Sequence, residues 1–222
     1  MDQENTFAVI FDMDGVLVDS DRYIRESFRR VAEQKGMHFG KDPLGKYGGR
    51  SLRDQMIMWK NDLGVDLGDL KEFSDRAYKI QMELFGSNTN ADAELLRLLQ
   101  ELKTKKVPMG VGTSSGRNRA KGILSAFNID GFFSVLVTAD DVSEHKPNPH
   151  VFLEVARQLN ISPDKCIVIE DAASGIEAAR NGGMKSIGFL AEWNSKEELS
   201  NADKIISGFG ELSLNELQKM FN

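Results

Sequence analysis

Short runs of apolar, mostly β-branched residues recur along the chain, and residues typical of turns bound each run. Runs of this length and composition are typical of strands that are buried on both faces of a sheet. Six segments are therefore predicted to be strands: Phe7–Phe11, Val107–Val111, Ser134–Val137, Cys166–Ile169, Ser186–Leu190 and Lys204–Ile206.

Helical patterns lie between most of these predicted strands. In Ala91–Lys105 the leucines recur three and four residues apart, which puts them on one face of a helix. Further helices are predicted over Arg119–Phe127, Pro149–Leu159 and Gly175–Asn181. Because strands that alternate with helices form a parallel sheet covered on both faces, the predicted fold class is α/β.

The segment between the first strand and Ala91 contains no convincing strand. Helices are predicted there over Tyr23–Lys35, Leu52–Leu63 and Leu70–Phe85. We therefore predict two domains, an α/β core of residues 1–18 and 91–222 and a small helical domain of residues 19–90. Trp59 is expected to pack the helices of this insert together.

Composition and charge narrow the class of protein. The 222 residues are 41% hydrophobic, which favours a globular protein, and the net charge of −6 provides no electrostatic footprint for nucleic acid. Cys166 is the only cysteine, which excludes an intramolecular disulfide and a cysteine-based zinc site. No apolar run is long enough to span a membrane, and the N-terminal stretch lacks the basic region of a signal peptide. We expect a cytoplasmic protein; a monomer is compatible with the sequence, which does not determine the oligomeric state.

Two short motifs suggest other chemistry. The stretch Gly40–Tyr47, "GKDPLGKY", has the glycine and lysine spacing of a P-loop, but a tyrosine replaces the serine or threonine that holds magnesium. The stretch Gly112–Gly116, "GTSSG", matches a nucleophile elbow, which would make Ser114 a nucleophile supported by Asp140 or Asp141 and His145 or His150. No HGGG-type oxyanion segment accompanies it, so we favour an anion-binding turn at a helix N-terminus.

Polar residues that can carry chemistry follow several of the predicted strands. Because the carboxyl ends of parallel strands share one edge of a sheet, where ligands bind, these side chains should converge. The candidates are Asp12, Asp14, Thr113, Lys146, Glu170 and Asp171. Their four carboxylates and one lysine give a formal charge of −3, which a divalent cation would reduce to −1. Oxygen ligands favour Mg²⁺ over zinc, so the sequence predicts a magnesium site beside a pocket for a phosphoryl group.

Four motifs occur in the order "DMDGVLVDS", "VGTSS", "HKPNPHVF" and "VIEDAASGIEAARNGGM". With these four motifs in this order, the chain resembles the haloacid dehalogenase-like superfamily, whose core is a Rossmann-like sheet. The helical insert is similar to the small cap domain of the branch that includes β-phosphoglucomutase and many sugar-phosphate and phosphoglycolate phosphatases. The resemblance implies that Asp12 attacks phosphorus and carries an aspartyl-phosphate, while Asp14 is the general acid and base.

The resemblance also implies roles for the remaining candidates. Phosphoryl oxygens would be bound by Thr113, Ser114 and Lys146. The metal would be held by Glu170, Asp171, the Asp12 carboxylate and the Asp14 backbone carbonyl. In the cap, substrate contacts are expected from Gly49 and Arg50, although a solvated helix start is an equally good account of the arginine.

The favoured function is a magnesium-dependent phosphatase that acts on a small phosphorylated metabolite. A hexose-phosphate mutase remains an alternative, although Ile24 occupies the place where the mutase has a histidine in its first cap helix. A third possibility is a binding module that kept the fold and lost the chemistry.

Overall fold

The computed structural model describes residues 7–36, 52–63, 67–85 and 91–221. The chain divides into two compact units, one formed by Met1–Asp19 with Thr89–Asn222 and the other by Ser20–Asn88. The boundaries predicted from the sequence differ from this division by one or two residues.

The larger unit contains a six-stranded parallel sheet, as the apolar runs predicted. Its strands are β1 (Ala8–Phe11), β2 (Met109–Gly112), β3 (Val135–Val137), β4 (Cys166–Glu170), β5 (Lys185–Phe189) and β6 (Lys204–Ile206). Each overlaps a segment predicted to be a strand, with bounds that differ by at most two residues, and the α/β class is confirmed.

The strand order β3-β2-β1-β4-β5-β6 sets the position of the site. From β1 the chain builds outward through β2 and β3 on one side, and through β4, β5 and β6 on the other. The order of the sheet therefore reverses between β1 and β4. Ligands of open α/β sheets bind at such a reversal, beyond the carboxyl ends of the strands. The residues that directly follow β1, β2 and β4 are thus brought side by side.

The smaller unit is helical in its described residues, with α1 (Asp21–Glu33), α2 (Leu52–Leu63) and α3 (Leu70–Phe85). Its core is aromatic: the Phe28 ring meets the Trp59 ring edge-on at 6.3 Å and the Phe73 ring at 5.5 Å between centroids. Trp59 is fully buried, which confirms its predicted packing role. Gly49, Arg50 and the stretch Gly40–Tyr47 lie outside the described residues.

Five further helices belong to the larger unit: α4 (Ala93–Thr104), α5 (Arg117–Ala126), α6 (His150–Leu159), α7 (Ala173–Asn181) and α8 (Leu214–Lys219). Helix α5 begins two residues before the predicted start at Arg119. The cause is Asp140, whose Oδ2 accepts a hydrogen bond from the Arg117 N–H at 2.7 Å and so satisfies a donor of the first turn. None of the helices in the described ranges is both long and apolar enough to cross a bilayer.

Candidate active site

The chain turns sharply after β1, and this turn fixes the first candidate residue. The Asp12 N–H donates to the Ile169 carbonyl at 2.9 Å, which extends the pairing of β1 with β4 by one residue. The turn then closes on itself, since the Gly15 N–H donates to the Val18 carbonyl at 2.9 Å. Asp12 is only 6% exposed, and these backbone hydrogen bonds hold it at the carboxyl edge of the sheet.

Lys146 lies between two carboxylates. Its Nζ is 2.5 Å from Asp12 Oδ1 and 2.8 Å from Glu170 Oε1, and all three side chains are buried. The ammonium also lies 4.6 Å from the centre of the Phe152 ring. Burial alone would lower the pKa of Lys146, but the charges of Asp12 and Glu170 outweigh it and raise that pKa above its usual value. Lys146 is therefore a permanent cation in the centre of the site.

Three carboxylates form a group that could hold a metal ion. Asp12, Glu170 and Asp171 each offer one oxygen, and these oxygens lie within 4.8 Å of one another. Burial raises the pKa of Asp12, Lys146 lowers it and Glu170 raises it, with the net result that this pKa lies at about 7. Burial, with the neighbouring charges of Glu170 and Asp12, raises the pKa of Asp171 to about 8. Crowded carboxylates of this kind, two of them buried and Asp171 partly buried, favour a cation, and an all-oxygen donor set fits a hard divalent ion.

Glu170 is turned toward the start of α7. Its Oε2 accepts a hydrogen bond from the Ala172 N–H at 2.6 Å, next to the first turn of that helix. A Cβ built on Gly175 would lie 1.8 Å from Glu170 Oε1, closer than any real contact. The carboxylate therefore occupies the space where any other residue at position 175 would have its side chain.

We expect Gly175→Ala to weaken divalent-cation binding, because the new methyl group must displace the Glu170 carboxylate. The Mg²⁺ concentration for half-saturation, measured from the rise in Tm, should increase by about tenfold or more. Gly131→Ala is the matched control, since a Cβ there meets no atom within 4 Å. Wild-type Mg²⁺ affinity in the Gly175 variant would contradict this account of the glycine.

The Asp14 carboxylate is held apart from the three-carboxylate group. Arg119 donates to both of its oxygens, from Nη1 to Oδ2 at 2.6 Å and from Nη2 to Oδ1 at 2.7 Å. The Ser115 hydroxyl donates to Oδ2 at 2.7 Å and contacts Arg119 as well. If Asp14 takes part in metal binding, its backbone carbonyl remains the ligand that the family resemblance implies. Ser115 and Arg119 were not among the residues predicted from the sequence.

Thr113 lies where β2 ends and is 1% exposed. Its N–H donates to the Val137 carbonyl at 3.0 Å, and its hydroxyl accepts from the Ser115 N–H at 3.1 Å. Lys146 Nζ is 3.4 Å from the Gly112 carbonyl, so the end of β2 adjoins the buried cation. The structure therefore brings together the ends of β1, β2 and β4, with the predicted side chains Asp12, Asp14, Thr113, Lys146, Glu170 and Asp171.

Comparison with known proteins identifies the family to which this arrangement belongs. The family model described as haloacid dehalogenase-like hydrolase matches residues 9–189, which include every one of the site residues just described. The chain belongs to the haloacid dehalogenase-like hydrolase family. The resemblance based on the four sequence motifs is thus confirmed.

Relatives of this haloacid dehalogenase-like hydrolase match it over nearly their whole length. A phosphorylated carbohydrates phosphatase of Thermotoga maritima is 30% identical over 96% of this chain and 99% of its own. A β-phosphoglucomutase of Bacillus subtilis is 30% identical over 93% of this chain and 92% of its own. A crystal structure of β-phosphoglucomutase from Clostridium difficile matches with a TM-score of 0.80 at 25% identity, over 97% of this chain and 96% of that chain.

The serine-nucleophile alternative finds no support in the geometry of this haloacid dehalogenase-like hydrolase. Ser114 is exposed, and no hydrogen bond found among the described residues joins it to His145 or His150. His150 Nδ1 instead lies 3.4 Å from Glu144 Oε2, and Asp140 accepts its hydrogen bond from the start of α5. The "GTSSG" stretch forms a turn between β2 and α5. The favoured interpretation of its sequence predicted a turn at this place.

Proposed function

We propose that the protein is a magnesium-dependent phosphatase that hydrolyses a small phosphorylated metabolite, a sugar phosphate or similar, through an aspartyl-phosphate on Asp12. One observation carries the proposal: a buried carboxylate at the end of the central strand is held by Lys146 at 2.5 Å, within a group of carboxylates suited to a cation. The similarity to a phosphatase of phosphorylated carbohydrates supports a phosphoric monoester hydrolase and this class of substrate.

In the first step, an oxygen of Asp12 forms a bond to phosphorus while the bond between phosphorus and the substrate oxygen breaks. Asp14 donates a proton to that departing oxygen, so an alcohol leaves and the phosphoryl group stays on Asp12. The Lys146 ammonium, already bonded to Asp12, offsets the negative charge of the phosphoryl oxygens.

In the second step, water attacks the aspartyl-phosphate and Asp14 accepts the proton of that water. Asp12 is regenerated and inorganic phosphate is released, so the net change is one water consumed for each ester hydrolysed. A magnesium ion held by Asp12, Glu170, Asp171 and the Asp14 backbone carbonyl would add positive charge against the phosphoryl oxygens. Thr113 and Ser114 are proposed to bind those oxygens from the end of β2.

The test is an assay of phosphate release from a panel of phosphorylated sugars, nucleotides and phosphorylated acids, in Mg²⁺ and in EDTA. We expect release from at least one sugar phosphate in Mg²⁺ and loss of that release in EDTA. Absence of phosphate release from the whole panel would overturn the proposal. Equal rates in EDTA would overturn its metal component alone.

A hexose-phosphate mutase is the second candidate, favoured by the 30% identity to the Bacillus subtilis enzyme. Against it, Ile24 takes the position of the mutase histidine and packs against the aromatic core of the helical unit. Incubation with β-glucose 1-phosphate distinguishes the two functions. Formation of glucose 6-phosphate without free phosphate would support the mutase, and free phosphate would support the phosphatase.

If Asp14 is the general acid, loss of Arg119 should reduce activity most for substrates whose leaving oxygen needs a proton. We expect Arg119→Gln to lower kcat/KM for an alkyl phosphate by about tenfold or more, because the Asp14 carboxylate loses its two-point contact. With p-nitrophenyl phosphate, whose leaving group needs no proton, kcat/KM should fall by about threefold at most.

Arg157→Gln is the matched control for this comparison. Arg157 is 70% exposed and pairs with Glu154 on the surface of α6. Its loss should leave both substrates unaffected. An equal fall for alkyl and aryl phosphates in the Arg119 variant would assign the arginine a role other than positioning the acid.

A further inference from the structure

The loop that follows β5 contacts one of the three carboxylates of the candidate metal site. The Trp193 indole Nε1–H donates to Asp171 Oδ2 at 2.7 Å. Gly15 also lies close to this oxygen, since a Cβ added there would be 2.0 Å away. The Asp171 carboxylate is therefore confined between the indole and the backbone of the turn after β1.

Asn194 anchors this loop with its whole side-chain amide. Its Nδ2 donates to the Asp171 carbonyl at 2.7 Å and to the Phe189 carbonyl at 3.0 Å. Its Oδ1 accepts from the Ala191 N–H at 2.9 Å. Both donors and the acceptor are thus used to tie the end of β5 and the loop to the backbone of Asp171, which fixes the position of the neighbouring Trp193.

The chemistry of the indole suits support of a metal ligand. It is a neutral donor, so it can orient a carboxylate without placing a positive charge beside the cation, as lysine or arginine would. Trp193 is 37% exposed and is one of three large apolar residues of the described chain with more than a third of their surface exposed. Burial of apolar area alone therefore gives a weak account of a tryptophan at this position, whereas the hydrogen bond to Asp171 gives a specific one.

We propose that Trp193 is a positioning residue that orients Asp171 for the divalent cation, and that its fluorescence reports whether the cation is bound. The inference rests on the metal site of the proposed function. Its test measures cation binding and not turnover, so its failure is distinguishable from failure of the phosphatase proposal.

The experiment compares Trp193→Phe with Trp59→Phe. The chain has two tryptophans, and Trp59 lies in the helical unit. Mg²⁺ is titrated into each protein while Tm and tryptophan emission are followed. In Trp193→Phe the half-saturating Mg²⁺ concentration should rise about tenfold or more, with Tm in EDTA unchanged. The emission change on Mg²⁺ binding should disappear in this variant and persist in Trp59→Phe. Asn194→Ala, which frees the loop, should weaken Mg²⁺ binding in the same direction.

Several outcomes would overturn the inference. Mg²⁺ affinity within about twofold of the wild type in Trp193→Phe would exclude a role in orienting the ligand. A loss in Trp59→Phe as large as that in Trp193→Phe would mean that the effect is not specific to the loop. Absence of any Mg²⁺ effect on the wild type would overturn the metal site together with the inference. If the wild type binds Mg²⁺ with the Trp193-dependent affinity and emission change but releases no phosphate, the inference stands and only the phosphatase proposal is overturned.

Discussion

Replacement of Asp12 by asparagine is expected to lower phosphate release by about 10⁴-fold or more. Asparagine keeps the shape of the side chain and an oxygen that can accept from Lys146, but it is not a nucleophile toward phosphorus. The fold should survive, because Lys146 keeps its 2.8 Å contact with Glu170 and the Asp12 N–H keeps its bond to Ile169. The loss should therefore appear in activity and not in Tm.

Asp130→Asn is the control for this prediction, because it makes the same chemical change at an exposed carboxylate of the same unit. Steady-state phosphate release should match the wild type in the control. Acid quenching during turnover, followed by mass analysis, should reveal a phosphorylated peptide containing Asp12 in the wild type and in Asp130→Asn, but not in Asp12→Asn. Substantial phosphate release by Asp12→Asn would rule out covalent catalysis through this residue.

The site residues that could be predicted from the sequence are those whose positions are determined by the ends of strands. A buried apolar run has few alternatives to a strand, and the carboxyl ends of parallel strands share an edge. These two rules alone bring Asp12 to Glu170 and Asp171, and the structure places their oxygens within 4.8 Å. Lys146 was predicted by the same rule, but it follows β3 at a distance, so the strand ends determine its place less directly than that of the three carboxylates.

Side chains that come from helix starts and loops were missed. The contact between Arg119 and Asp14 depends on where α5 begins, and that is set by Asp140, which is distant in sequence. An arginine in the first turns of a helix is usually solvated, so its residue type was no signal. The spacing of Ser115 and Arg119, four residues apart at a helix start that follows a strand, was the available clue. Trp193 follows β5, but the strand-end rule had been applied only to residues such as aspartate, glutamate, lysine and threonine, and not to tryptophan.

These additions change the charge balance expected from the sequence. Counted together, four carboxylates and one lysine gave −3. The structure separates them, since Asp14 forms an ion pair with Arg119. The remaining group of Asp12, Glu170 and Asp171 with Lys146 has a formal charge of −2. A single divalent cation would bring that group to neutrality before substrate binds. The charge of −2 therefore matches one divalent ion, whereas the charge of −3 expected from the sequence would have left −1.

The same balance predicts the effect of removing the buried cation. Lys146→Met keeps the length of the side chain and its packing on the Phe152 ring, but leaves three crowded carboxylates without a countercharge. Breaking a buried ion pair in this way costs about 3–5 kcal/mol. For a protein of this size, Tm in EDTA should therefore fall by about 6–20 °C.

Mg²⁺ should restore part of this lost stability, because it supplies positive charge to the same carboxylates. Phosphate release should nevertheless stay reduced by about 100-fold or more, because the phosphoryl oxygens lose their contact with the ammonium group. Lys185→Met is the matched control: Lys185 pairs with Asp203 at 3.0 Å, but the two side chains are 43% and 37% exposed. A pair this exposed contributes about 1 kcal/mol at most, so Tm should change by about 4 °C or less. If Lys146→Met loses no more stability than Lys185→Met, or gains nothing from Mg²⁺, then charge compensation is not what holds these carboxylates together.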